Sequence, residues 1–415
     1  MNIRFSFVLL VLFLNACSFW QTQPSTPAET VSAPPPPLVA APVCKCPEAA
    51  KAEALKIPDY GLLKPAQWSD LDGIAKDDVT KAWPAWVLGC SALKAKPAWQ
   101  AVCNEADQLK NPSKSKITEY FKKNFSVYRA TNVDGTESGL ITGYYEPVIK
   151  GSRSKNDQYR FPLYARPDDL ITVELASLFP ELANKRVRGR VVGTKLIPYY
   201  NRGEIETDNS PLQGREFVWV DDQIDLFFLQ IQGSGMVHLD NGEKMHVGYA
   251  DQNGQSYQSI GRLLIEKGEL TADKASMQGI KDWAKKNPTK LRELLNANPS
   301  YVFFRELPAG LPGPLGALGA PILAERVVAV DPKFVPLGAP IFLSTNLPFT
   351  NKPLQRLMMA QDTGGAIKGG VRADFFWGAG NEAGKQAGAM KQSGKIWVLL
   401  PKGFQLPKPA LNNGQ

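Results

Sequence analysis

The chain has 415 residues, 43% of them hydrophobic, enough for two or three domains with sizeable cores. Its net charge of +8 comes from scattered lysines and arginines without a long basic run, which argues against a nucleic-acid partner. Glycine (35) and proline (33) are both plentiful and favour turns and short strands over long helices.

The N-terminus carries Arg4, then an apolar stretch over residues 5–14, then Leu14-Asn15-Ala16-Cys17. The stretch is shorter than the roughly 20 residues a spanning helix needs. It reads as a cleaved signal over residues 1–16. A cysteine in that place resembles the bacterial lipobox, so Cys17 is the expected lipidated first residue of the mature chain. Ser18 stands where an inner-membrane retention aspartate would otherwise be. The expected location is the periplasmic face of the outer membrane, with the lipid in its inner leaflet. Residues 17–56, with four prolines at 34–37, read as an extended tether, and folded sequence begins near Ile57.

From 68 to 128 the pattern is helical. Helices are expected at 83–93 and 97–109, joined at Lys96-Pro97, and Ile117, Tyr120, Phe121 and Phe125 mark a third. Export permits disulfides, and a Cys90–Cys103 staple between the first two helices is expected. Cys44 and Cys46 either stay free or bridge each other. From Gly139 the period changes to strands, including 188–192, 216–220 and 226–232. Helices return at 256–267, 274–286 and 288–297, the last with Pro288 in its first turn. After a Gly/Pro-rich stretch at 308–321, short strands follow at 326–330, 340–344, 355–362, 373–377 and 395–400. Short, glycine-broken strands suggest a small closed barrel rather than alternating strand–helix units.

Several chemistries lack their residues. The segment 378–386 has the wrong spacing for a P-loop, and there is no Gly-x-Ser-x-Gly elbow. The two histidines, His238 and His246, lack metal-ligand spacing, and His238 reads as one side of a strand. No metal or cofactor is indicated.

Two segments are unusual. If 226–232 is a strand, Gln230 and Gln232 share a face before the turn at Gly233-Ser234-Gly235, a suitable surface for sugar hydroxyls and equally a solvated face. Asp374 is followed by Phe375, Phe376 and Trp377. Loss of solvent would raise its pKa and suit a general acid; the alternative is an aspartate that caps a turn.

Ordered motifs decide between these readings. They are Thr142-Gly-Tyr-Tyr-Glu-Pro147, Gln230-Ile-Gln-Gly-Ser-Gly235, Gly248-Tyr-Ala250 and Tyr257-Gln-Ser-Ile-Gly261. Further on come Asn298-Pro-Ser-Tyr-Val-Phe-Phe304, Asp362-x-Gly-Gly-Ala-Ile-Lys-Gly369, and Asp374 with Gly378-x-Gly-x-Glu-Ala-Gly384. Over about residues 68–402 the chain resembles the membrane-bound lytic murein transglycosylase A family.

The resemblance implies a mainly β fold with flanking helices: a double-psi β-barrel domain (57–146 and 312–408), an inserted β-rich second domain (147–311), and a substrate groove between them. It implies cleavage of the β-1,4 bond between N-acetylmuramic acid and N-acetylglucosamine in peptidoglycan glycan strands, leaving a 1,6-anhydro-muramyl end. Asp374 would act as acid and then base. Asp362 would orient the site by a hydrogen bond to Thr142, and Tyr144, Gln232, Ser234 and Tyr249 would line the groove. Arg372, in the loop before Asp374, is expected to face solvent. The alternatives are an inverting hydrolase using Asp374 and Asp362 and a non-catalytic wall-binding lipoprotein. Cell-wall enzyme partners are left open.

Overall fold

The computed structural model describes residues 60–179, 182, 187–350 and 352–406. All fall in one structural unit, Glu53–Gln415. The expected signal, Cys17, the tether, Cys44 and Cys46 lie outside the described residues. Among the described residues, no helix is long and apolar enough to cross a membrane.

The chain begins with β1 (Leu63–Ala66), α1 (Trp83–Leu93), α2 (Pro97–Gln108), α3 (Lys114–Asn124), β2 (Phe125–Ala130) and β3 (Gly139–Glu146). Its middle runs β4 (Val148–Ser152), β5 (Phe161–Tyr164), β6 (Ile171–Thr172), β7 (Arg188–Val192), β8 (Lys195–Pro198), α4 (Arg202–Ile205), β9 (Glu216–Val220), α5 (Gln223–Gln232), β10 (Ser234–Leu239), β11 (Lys244–Gln252), α6 (Ile260–Glu266), α7 (Met277–Lys286), α8 (Leu291–Asn296) and β12 (Val302–Glu306). It ends with β13 (Val327–Val330), β14 (Pro340–Asn346), β15 (Pro353–Asp362), β16 (Ala373–Ala379), α9 (Gly380–Ala389) and β17 (Lys391–Pro401).

Pro84 and Pro97 sit in the first turns of α1 and α2, where a missing N–H costs nothing. Cys90 and Cys103 are joined by a disulfide across these helices, with Cα atoms 5.2 Å apart. Ser113 caps α3 by accepting from the Lys116 N–H. Trp86 lies at the centre of this layer and packs its ring on Trp99, Phe121 and Phe125. Its indole N–H donates to the Tyr120 hydroxyl, which donates to the Val102 carbonyl, so both buried polar groups are satisfied.

Three sheets share the strands. The first runs β1-β2-β17-β14-β15-β13-β16-β3, and β3 also pairs with β17. Strands β17, β14, β15, β13, β16 and β3 therefore form a closed ring. Every residue of β13 is buried, as expected for a strand covered on both sides. The second sheet runs β12-β11-β10-β4-β9-β5, and its two ends meet at a bridge between Ala165 and Phe304. Its strands all lie between residues 148 and 306, inside the sequence that builds the first sheet. Strands β6, β7 and β8 form a small third sheet.

One expected element is wrong in kind. Residues 226–232 are not a strand but most of helix α5. Asp222 caps it by accepting from the N–H groups of Ile224 and Asp225, and Gly233 ends it at φ 78°. Leu226 and Leu229 pack under the second sheet, while Ile224, Phe227 and Phe228 pack among α6, α7 and α8. A helix buried on two sides has a continuous apolar run, which periodicity cannot tell from a buried strand. The Gly/Ala-rich segment Gly380–Ala389 is also helical. Its small residues let it lie close on β3: a Cβ on Gly143 would come within 2.9 Å of the Ala387 Cα, and one on Gly384 within 3.0 Å of the Tyr145 ring.

Candidate active site

Strand β3 organises the site. It runs parallel to β16, with Thr142 opposite Asp374 in register. Thr142 Oγ1 donates to Asp374 Oδ1 at 2.5 Å. Two residues on, the Tyr144 hydroxyl donates to Asp362 Oδ2 at 2.8 Å, and its ring packs on Phe376 at 5.1 Å. The next backbone N–H, of Tyr145, donates to Gln232 Oε1 at the end of α5. Residues 142, 144 and 145 of one strand thus reach both aspartates and the end of helix α5.

The expected Asp362–Thr142 bond does not form. Thr142 instead serves Asp374, because the parallel β3–β16 pairing sets these two side by side. Asp362 ends β15 and is held by Tyr144 together with the N–H groups of Ala317 and Thr363, at 3.0 and 2.9 Å. Tyr144 is buried and its hydroxyl is committed to Asp362, so it holds that carboxyl in place. Arg372 does not face solvent either. It is partly buried, and its Nη2 donates to Thr142 Oγ1 at 2.8 Å while Nη1 donates to the Ala373 carbonyl at 2.6 Å.

Burial pushes both carboxyls up. For Asp374 desolvation is the largest influence, opposed by the Thr142 hydrogen bond and the Arg372 charge and reinforced by nearby Asp362. For Asp362 desolvation outweighs its three donors. The loop between the aspartates is pinned at two points. Asp331, buried at the end of β13, accepts from the Gly369 N–H at 3.0 Å, and Asn132 accepts from the Val371 N–H at 3.0 Å.

The glutamines do not share a face, because on a helix positions two apart diverge. Gln230 is buried and accepts from Arg202, while Gln232 meets β3. Ser234 opens β10 opposite Gly248, next to the exposed Tyr249, so Gln232, Ser234 and Tyr249 gather where α5, β10 and β11 meet. His238 lies on the exposed side of β10. His246 instead faces the buried Glu146 at the end of β3, with 3.2 Å between Nδ1 and Oε1. Burial raises the Glu146 carboxyl, and His246 opposes that rise.

Two family models match the chain: the MltA specific insert domain over residues 140–305 and the 3D domain over residues 326–400. A membrane-bound lytic murein transglycosylase A from Vibrio cholerae serotype O1 is 32% identical over 284 residues, covering 66% of this chain and 69% of the relative. The crystal structure of MltA from Neisseria gonorrhoeae, monoclinic form, superposes with a TM-score of 0.74 at 40% identity, covering 83% of this chain and 93% of that one. The lytic transglycosylase LtgG of Burkholderia pseudomallei is 44% identical, with a TM-score of 0.55 and coverage of 82% and 95%. The chain belongs to the membrane-bound lytic murein transglycosylase A family.

Proposed function

We propose that this protein is a lytic transglycosylase that cleaves the β-1,4 bond between N-acetylmuramic acid and N-acetylglucosamine, with Asp374 as its single acid/base. The observation that carries the reading is the inequality of the two aspartates. Among the described residues, Asp362 has both carboxyl oxygens engaged by protein donors, whereas Asp374 has only Oδ1 engaged, by Thr142. One carboxyl is then available to substrate, and it sits where burial favours its protonated form.

In this mechanism protonated Asp374 gives its proton to the glycosidic oxygen as the bond to C1 of the muramic acid breaks. The oxygen leaves as the 4-hydroxyl of N-acetylglucosamine. The 2-acetamido group of the substrate supports the developing cation. The Asp374 carboxylate then takes the C6 hydroxyl proton as that oxygen bonds to C1, closing the 1,6-anhydro ring and restoring the acid. No water is consumed, so a second carboxylate to activate one is unnecessary.

The closed ring is read as a double-psi β-barrel, residues 147–311 as a second domain inserted into it, and the glycan as lying in a groove between them. Gln232, Ser234 and Tyr249 would line the inserted side. Cys17 would carry the lipid that holds the protein to the inner leaflet of the outer membrane. The test is digestion of purified sacculi by the full-length protein in detergent and ¹⁸O-labelled water. Mass spectrometry should find unlabelled anhydro-muramyl ends. Labelled reducing ends would replace the reading with a hydrolase, and binding without release would replace it with a wall-binding module.

A further inference from the structure

We propose that Arg372 is a positioning residue that acts through the Thr142 hydroxyl to keep the transferable proton of Asp374 on Oδ2. The inference rests on Asp374 being the acid and goes further by assigning the proton to one oxygen.

The argument is one of donor inventory. A guanidinium donates and cannot accept. Arg372 Nη2 lies 2.8 Å from Thr142 Oγ1, so the threonine oxygen must accept there. Its only hydrogen is then left for its other neighbour, Asp374 Oδ1, at 2.5 Å. In a protonated carboxyl the carbonyl-type oxygen is the better acceptor, so an Oδ1 that accepts this bond favours the acid proton on the other oxygen. That oxygen is Oδ2, which has no hydrogen-bond partner among the described residues. Without Arg372 the hydroxyl is free to turn, Oδ1 can take the proton and donate it to Thr142, and the acid is misdirected.

Arg372 is itself held. Nη1 donates to the Ala373 carbonyl at 2.6 Å and, at 3.4 Å, to that of Leu140, so the guanidinium ties the start of β16 to β3 beside the acid. The pinned Gly369 and Val371 N–H groups fix the chain leading into it. The charged and titratable groups acting on Asp374 are Arg372, Asp362 and, beyond Asp362, the Tyr144 phenol. Of these, Arg372 brings a positive charge, which favours the carboxylate needed in the second half of the reaction.

The test is pH–rate profiling of the full-length protein in detergent on soluble glycan strands, for wild type, Arg372→Ala, Arg372→Lys, Thr142→Val and the Arg372→Ala/Thr142→Val pair. Arg372→Ala should lower kcat about 10- to 100-fold with KM little changed, as expected for an acid that remains present but misdirected. Its alkaline limb should move to higher pH, because the charge that favours the carboxylate is gone. Arg372→Lys should recover part of kcat and return the limb toward wild type. In the Thr142→Val background, Arg372→Ala should cost less than about threefold more, because both changes break one relay. Wild-type kcat and an unmoved limb in Arg372→Ala would overturn the proposal, as would an undiminished loss in the Thr142→Val background. Should Arg372→Ala fail to fold, Arg372→Lys carries the same test: a reduced kcat that vanishes in the Thr142→Val background supports the relay, and one that persists there refutes it. An active Asp374→Asn would instead overturn the acid assignment itself; an inactive one beside unaffected Arg372 variants would overturn only the relay.

Discussion

The ring and the sheet inserted into it are stabilised differently. In the ring, most buried apolar side chains belong to one core that runs from Trp86 and Phe125 through Val328 and Ile341 to Phe375 and Leu400, with small satellites around Trp397 and Tyr145. The inserted region breaks into separate clusters: one under its strands around Val218, Val237 and Phe304, one among its helices around Phe228 and Trp283, and one around Tyr199 and Phe303. Arg202 joins the last two. It is buried between the Phe227 and Tyr301 rings and donates to Glu206, Gln230 and the carbonyls of Asn298 and Ser300. The ring has a buried polar contact of its own, the Arg326–Asp77 pair, but its main apolar core is continuous, whereas two clusters of the inserted region meet through Arg202. Chemistry and stability should separate accordingly.

The largest stability effect is expected at that arginine. Arg202→Met leaves Glu206, Gln230 and two buried carbonyls without their donor, and should destabilise the inserted region by about 3–5 kcal/mol. Hydrogen exchange should show protection lost in α5, β11 and β12 while β13–β17 keep theirs. Equal loss in the ring would break the comparison. Replacing both Cys90 and Cys103 by alanine removes a link between residues 13 apart on the ring side, and should cost about 3 kcal/mol in denaturant unfolding. Here the ring should loosen first.

The smallest effect is the most diagnostic. Burial raises the Asp374 carboxyl above its ordinary value, so the folded state holds that proton more tightly than the unfolded chain does. The resulting stabilisation is full below the unfolded pKa and is lost as pH rises through the folded one. Asp374→Asn removes this loss, so its melting temperature should fall less between pH 4 and pH 7 than that of wild type and be no lower at neutrality. A lower melting temperature for Asp374→Asn at neutral pH would mean that the carboxylate is a structural support and not a strained acid.

Much of this arrangement was legible in the sequence. Short runs broken by glycine marked β14, β15, β16 and β17, and two helices joined at Lys96-Pro97 brought Cys90 and Cys103 within reach of each other. Motif order picked out Asp374, Asp362 and Thr142. What could not be read was which of them touch. The Thr142–Asp374 contact depends on a parallel pairing between strands more than 200 residues apart, and nothing local specifies that register. Helix α5 was hidden because it is apolar on two sides. Arg372 carried a signal that was passed over: it lies two residues before Asp374, and in an extended chain such residues point the same way.

The central claim is tested most directly by measuring glycan binding and product release on a single preparation of Asp374→Asn. The account predicts binding at wild-type affinity with release of anhydro-muramyl ends reduced at least about 1,000-fold, the scale on which a positioned acid/base contributes. Release within about tenfold of wild type would contradict it, because the proton would then have to come from a group other than Asp374.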